Sequence, residues 1–133
     1  MALIDTNVLL RHLLQDHADH SPRATALLQR VERGELRVDM TATVVFETVF
    51  VLDRRARLPR AAIRDAVLPI VELPAVLLPG KQLVREAFEF YVRLNIPFAD
   101  AYHAAVGRAL DPPRVIAFDR HFNRVPGLVR IEP

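Results

Sequence analysis

The sequence predicts an α/β domain built on a parallel sheet covered by helices on both faces. Short apolar runs ("ALID", "LRVD", "AVLL", "RVIAF", "LVRI") recur along the chain, separated by longer segments with apolar residues at helical spacing. Strands buried on both faces read as continuous apolar runs rather than as alternation, which is the pattern here. A length of 133 residues suits one domain, expected over residues 1–133, with a core that needs no staples. No internal repeat, low-complexity tract or linker interrupts it.

In order, "ALID" is a candidate buried strand ending in Asp5, and "TNVLLRHLL" continues as a helix. "SPRATALLQRVERGE" offers Ser21 as N-cap, Pro22 at the first helical position, a stripe of Ala26, Leu27 and Val31, and Gly34 past the end. "LRVD" is a second strand ending at Asp39, followed by the long helix "TATVVFETVFVLDRRA". "PRAAIRDAVLPIV" is a helix opened by Pro59 and disturbed at Pro69. "AVLL", between Pro74 and Pro79, is a third strand. "KQLVREAFEFYVRL" and "FADAYHAAVGRAL" are helices divided by "NIP", and "RVIAF" and "LVRI" supply the last strands. Sites in open α/β sheets form outside the carboxyl ends of strands, where Asp5, Asp39 and Asp119 fall.

Composition narrows the chemistry. The chain has no cysteine, which excludes disulfides, thiolate nucleophiles and cysteine-ligated zinc and fits a reducing cytosol. "MALIDTN" reaches an acid before any signal-peptide pattern forms. The longest apolar stretch, "AVLPIVELPAVLLPG", is broken by Glu72 and prolines, whereas a spanning helix needs about 20 apolar residues. A soluble, cytoplasmic protein with no membrane partner is expected. Net charge is only +2, but every basic residue except Lys81 is an arginine, and Arg54, Arg55, Arg57, Arg60 and Arg64 lie close together. Guanidinium forks suit bidentate phosphate contacts, although such a cluster is also an ordinary solvated helix surface.

The carboxylates each have a structural alternative. Asp5 could cap the helix it precedes, Asp100 could favour the dipole of a helix's first turn, and Asp119 could make an Asx-turn. Glu47 is harder to dismiss, because "TVVFETVFVL" sets it in an almost unbroken apolar run. An isolated buried carboxylate is costly unless paired or bound to a metal. Its helical stripe runs through Thr43, Phe50, Val51 and Arg54, so it either pairs with an arginine or faces a polar cleft. Two carboxylates ~5 Å apart repel by ~3 kcal/mol at an effective dielectric of ~20. Several acids meeting would therefore either raise one another's pKa values or need a cation, which with hard oxygen ligands and no cysteine would be Mg²⁺ or Mn²⁺. Ions held this way activate water and neutralise a leaving oxygen in phosphoryl transfer.

Taken together, "LIDTNVLL", Glu47 in a mid-chain helix, "FADAYHAA" around Asp100 and "FDRHFNRVPGL" around Asp119 resemble PIN-domain ribonucleases. Within that group the chain looks most like VapC-type toxins of toxin–antitoxin pairs, along nearly its whole length. The resemblance implies a twisted central parallel sheet of about five strands flanked by helices, with an acidic pocket at one edge. Carried over to this sequence, Asp5, Glu47 and Asp100 match the central acids and Asp119 the more variable fourth, as catalytic metal ligands. Thr6 and Asn7 match the polar pair that orders the pocket, and Arg54 is a candidate backbone contact. The implied activity is Mg²⁺- or Mn²⁺-dependent endoribonucleolysis, leaving a 5′-phosphate and a 3′-hydroxyl. The implied partners are RNA, a second copy of the chain in a homodimer, and a VapB-like antitoxin. One departure stands out: where the family often has Thr or Ser before the fourth acid, this chain has Ala117.

His12, His17 and His20, with Asp16 and Asp19, suggest a metal cluster but match no established zinc spacing, so a solvated loop is expected. His103 shares a helical face with Asp100 and is expected to pack, while Phe90 and Tyr91 suit a helix core. A dehalogenase-type Asp-x-Asp, a receiver-type lysine after a late strand and a Walker loop are all absent. The remaining alternatives are a PIN-like RNA-binding module without turnover, and a processing nuclease outside toxin–antitoxin biology.

Overall fold

Each apolar run becomes a strand and each helical pattern a helix in the computed structural model, which describes residues 1–133. The chain clusters into two units, Met1–Pro79 and Gly80–Pro133.

In the first unit, β1 (Ala2–Leu3), β2 (Val38–Asp39) and β3 (Val76–Leu77) pair in parallel in the order β1-β2-β3. The register sets Leu3 beside Asp39 and Asp39 beside Leu77. The ladder reaches past the formal strands, because the Ile4 and Met40 amides donate to the Asp39 and Leu77 carbonyls at 2.9 Å. Ile4, Val38, Met40, Val76 and Leu78 are all buried, as expected of strands covered on both sides. The helices are α1 (Thr6–Leu14), α2 (His20–Glu32), α3 (Ala42–Arg54) and α4 (Arg60–Val71). Helix α1 packs on α2 and α3, and α3 packs on α4.

Helix α2 begins before the expected N-cap at Ser21. The ring of His17 explains this: its Nδ1 accepts from the Asp19 and His20 amides at 3.2 and 2.9 Å, supplying partners that an N-cap side chain would otherwise provide. Ser21 is instead buried inside the first turn, its Oγ accepting from the His17 amide at 3.2 Å. Gly34 follows the helix at φ +75°, a conformation glycine adopts without a Cβ penalty. Helix α4 runs through Pro69 and ends two residues later at Val71, so the proline removes a bond only in the last turn.

In the second unit, α5 (Lys81–Arg93) and α6 (Phe98–Arg108) pack extensively together. Phe98 anchors the pair, with ring centroids 4.6 Å from Phe88 and 5.6 Å, edge-on, from Tyr91. Phe90 and Tyr91 are buried, as their helical spacing predicts. Strands β4 (Arg114–Ile116) and β5 (Val129–Ile131) pair in parallel, joined by a 3₁₀ turn over Arg120–Arg124. Gly107 lets α6 lie directly on β4: a Cβ there would stand 3.0 Å from the Arg114 carbonyl oxygen and 3.1 Å from Leu128.

Every strand pair is parallel, as expected, but the five strands form ladders of three and two rather than one continuous sheet. The strands are only two or three residues long, so each ladder closes on few hydrogen bonds. No helix is long and apolar enough to cross a membrane.

Candidate metal centre

The sequence "PFADAYHAA" starts α6 directly after Pro97, which is preorganised in φ and leaves no N–H to satisfy. Asp100 thus enters the first turn, where the helix dipole favours its charge, with 31% of its side chain exposed. Asp119 occupies the N-cap position of the 3₁₀ turn, and its Oδ1 accepts from the His121 amide at 3.0 Å. Both structural alternatives weighed for these acids are therefore realised, and neither consumes the whole carboxylate.

His121 joins them. Its Nδ1 lies 2.8 Å from Asp119 Oδ1, and its Nε2 lies 2.8 Å from Asp100 Oδ2. Only 13% of the side chain is exposed. The Nε2 contact is short but misaligned for hydrogen bonding, so this buried nitrogen has no hydrogen-bond partner. Asp100, Asp119 and His121 can each offer a ligand atom such that all lie within 4.8 Å of one another. His103, expected to pack, is instead exposed beside Asp100, with its Nδ1 4.0 Å from Asp100 Oδ1.

The turn that carries Asp119 and His121 is held from behind. Arg130 on β5 donates from Nη1 to the Ala117 carbonyl at 2.9 Å and from Nε to Asn123 Oδ1 at 3.2 Å. The Ala117 amide donates to the Ile131 carbonyl at 3.1 Å, and Phe122 and Val125 are buried. Ala117 thus contributes through its backbone, with no hydroxyl to offer.

The donor set fits a divalent ion. Two carboxylates and an imidazole supply hard oxygens and one nitrogen, and the orphaned Nε2 faces an acceptor-only oxygen. Such an arrangement is stable only with a proton or a cation beside it.

The sequence-expected residues of the first unit sit as follows. Asp5 is exposed at the N-cap position of α1, just after β1, yet its side chain makes no capping bond. Thr6 is buried, and Asn7 is exposed and lines a cavity of about 480 Å³ with Val8, Arg11, His20 and Arg23. Glu47 is exposed, not buried. It lies on the outward stripe of α3 with Thr43, Phe50 and Arg54, while Val44, Val45, Thr48, Val49 and Leu52 face the core. Its apolar sequence neighbours belong to other faces of the helix, and no ion pair or hydrogen bond with Arg54 or another group engages it.

His12, His17 and His20 serve local structure: His12 Nδ1 lies 2.8 Å from Thr25 Oγ1, and the His17 and His20 rings stack at 3.9 Å. The residue that sequence reasoning passed over is His121. Its only signal is "DRH", an imidazole two residues beyond an acid at a strand end, where a turn returns the side chain to that acid.

A model of the PIN domain matches residues 2–128, a span that covers nearly the whole chain and runs through both units. No curated protein matches the chain.

Proposed function

The chain belongs to the PIN domain family, and on that premise we propose that it is a divalent-metal-dependent endoribonuclease of the VapC toxin type. The observation that carries the reading is Asp100 and Asp119 gathered around His121 in a family whose members are generally metal-dependent nucleases. On this reading Asp5, Glu47, Asp100 and Asp119 carry the family's acid functions toward Mg²⁺ or Mn²⁺, with Thr6 and Asn7 ordering the start of α1 beside Asp5. When bound, the ion supplies a more acidic water and offsets charge on the scissile phosphate and the leaving oxygen.

The protein's own contribution is positioning. Asp100 and Asp119 present anionic oxygens that repel a phosphodiester unless a cation intervenes, so substrate and ion enter together. Exposed Arg54, Arg55 and Arg57 at the end of α3 suit contacts to backbone phosphates, which fix a strand without reading its sequence. A homodimer, a VapB-like antitoxin as inhibitor and a cytoplasmic setting complete the proposal. The cysteine-free composition accords with that setting.

The experiment is induced expression followed by sequencing of RNA ends. New 5′-phosphate ends at defined sites, lost with Glu47→Gln and suppressed by a co-expressed neighbouring antitoxin, support the toxin. Cleavage without any antitoxin effect points to a processing nuclease. RNA binding by purified protein with no new ends points to a binding module.

A further inference from the structure

We propose that His121 is itself a nitrogen ligand to the ion, through Nε2 and beside Asp100, with Asp119 as the positioning residue that holds its ring. The inference rests on the nuclease reading for the presence of an ion and goes beyond the all-acid set expected from the sequence. Both ring nitrogens lie 2.8 Å from oxygens that can only accept; with an ion beside Asp100 taking Nε2, the one ring proton belongs on Nδ1, against Asp119 Oδ1. Nε2 is buried, has no hydrogen-bond partner and lies 2.8 Å from Asp100 Oδ2, so a neutral ring and the Asp100 carboxylate need a cation between them. A ring that donates one N–H to a carboxylate and points the other nitrogen at an ion is the usual way proteins fix a ligating histidine.

Asp119 Oδ1 is committed to this task, since it also accepts from the His121 amide at 3.0 Å, and Oδ2 is left for the acid's own part at the ion. Arg130 steadies the turn through Ala117 and Asn123. The consequence is metal choice. Imidazole suits first-row transition ions, whereas Mg²⁺ prefers oxygen and sheds water reluctantly, so one nitrogen tilts the site toward Mn²⁺. His103 is the rival nitrogen, but it is exposed and 4.0 Å from Asp100 Oδ1.

The test is Mn²⁺ titrated into the full chain, with the bound ion read by electron paramagnetic resonance and its nitrogen hyperfine modulation. Wild type is expected to show nitrogen modulation that persists in His103→Gln. In His121→Gln the modulation disappears, and Mn²⁺ affinity falls by at least the roughly 10–100-fold that changes near a metal typically cost. Asp119→Asn keeps the modulation, because an amide oxygen still accepts both N–H groups, while Asp119→Ala weakens binding by about 10–100-fold. Bound Mn²⁺ with no nitrogen modulation in wild type overturns the inference and leaves the nuclease reading standing. Loss of the modulation in His103→Gln, or in a folded Asp119→Asn, overturns it as well. If His121→Gln fails to fold by circular dichroism, the Asp119 pair decides. Absence of any Mn²⁺ binding by wild type removes both the inference and the nuclease reading beneath it.

Discussion

Asp119 holds the His121 amide through its Oδ1 at 3.0 Å, whereas the Glu47 side chain stands on an exposed helix stripe. Glu47 is exposed and unengaged, so Glu47→Gln is expected to change stability by no more than about 0.5 kcal/mol, as surface substitutions do. Thermal melting checks that, and abolished RNA cleavage by the same well-folded variant would assign the side chain to catalysis. Asp5→Asn should behave alike, since no capping bond is lost. Asp119→Ala, in contrast, removes an N-cap acceptor and is expected to cost about 1 kcal/mol by denaturant titration. The acids were legible because carboxylates at strand ends and helix starts invite the question. His121 was not, because a histidine gains meaning only when a turn folds it back between Asp100 and Asp119, and one-dimensional spacing hides that geometry.

The helices were legible from apolar periodicity, but the outward stripe of α3 that exposes Glu47 was not, because apolar residues on the other faces make the run look unbroken. The start of α2 was not, because the ring of His17 displaced Ser21 from its expected capping role. The division of the strands into two ladders was equally hidden, since apolar runs announce strands but not their neighbours. Two substitutions probe how elements hold the centre. Gly107→Ala gains about 1 kcal/mol of helix propensity but drives a methyl to 3.0 Å from the Arg114 carbonyl oxygen. Overpacking typically costs about 1–3 kcal/mol and backbone cannot swing aside, so net destabilisation is expected in a thermal melt. Arg130→Met removes the guanidinium from the Ala117 carbonyl and Asn123, with 11% of the Arg130 side chain exposed. A loss of about 1.5–3 kcal/mol is expected, with faster hydrogen exchange over residues 119–124 as the specific readout.

The family match over residues 2–128, five strands in two parallel ladders and a cluster of acids around an imidazole together suggest a metal-dependent nuclease. Family and fold were readable because the motifs that carry them are short, local and ordered along the chain. The target RNA was not, because a net charge of +2 and a surface of arginines set attraction to phosphate without choosing a sequence. The most direct measurement is cleavage of RNA by purified protein with Mn²⁺, with Mg²⁺ and with excess chelator, beside Asp100→Asn. Metal-dependent cleavage that stops in chelator, and that Asp100→Asn lacks while keeping its circular dichroism spectrum, is the expected result. Undiminished cleavage by Asp100→Asn, or by wild type in chelator, would contradict the metal centre.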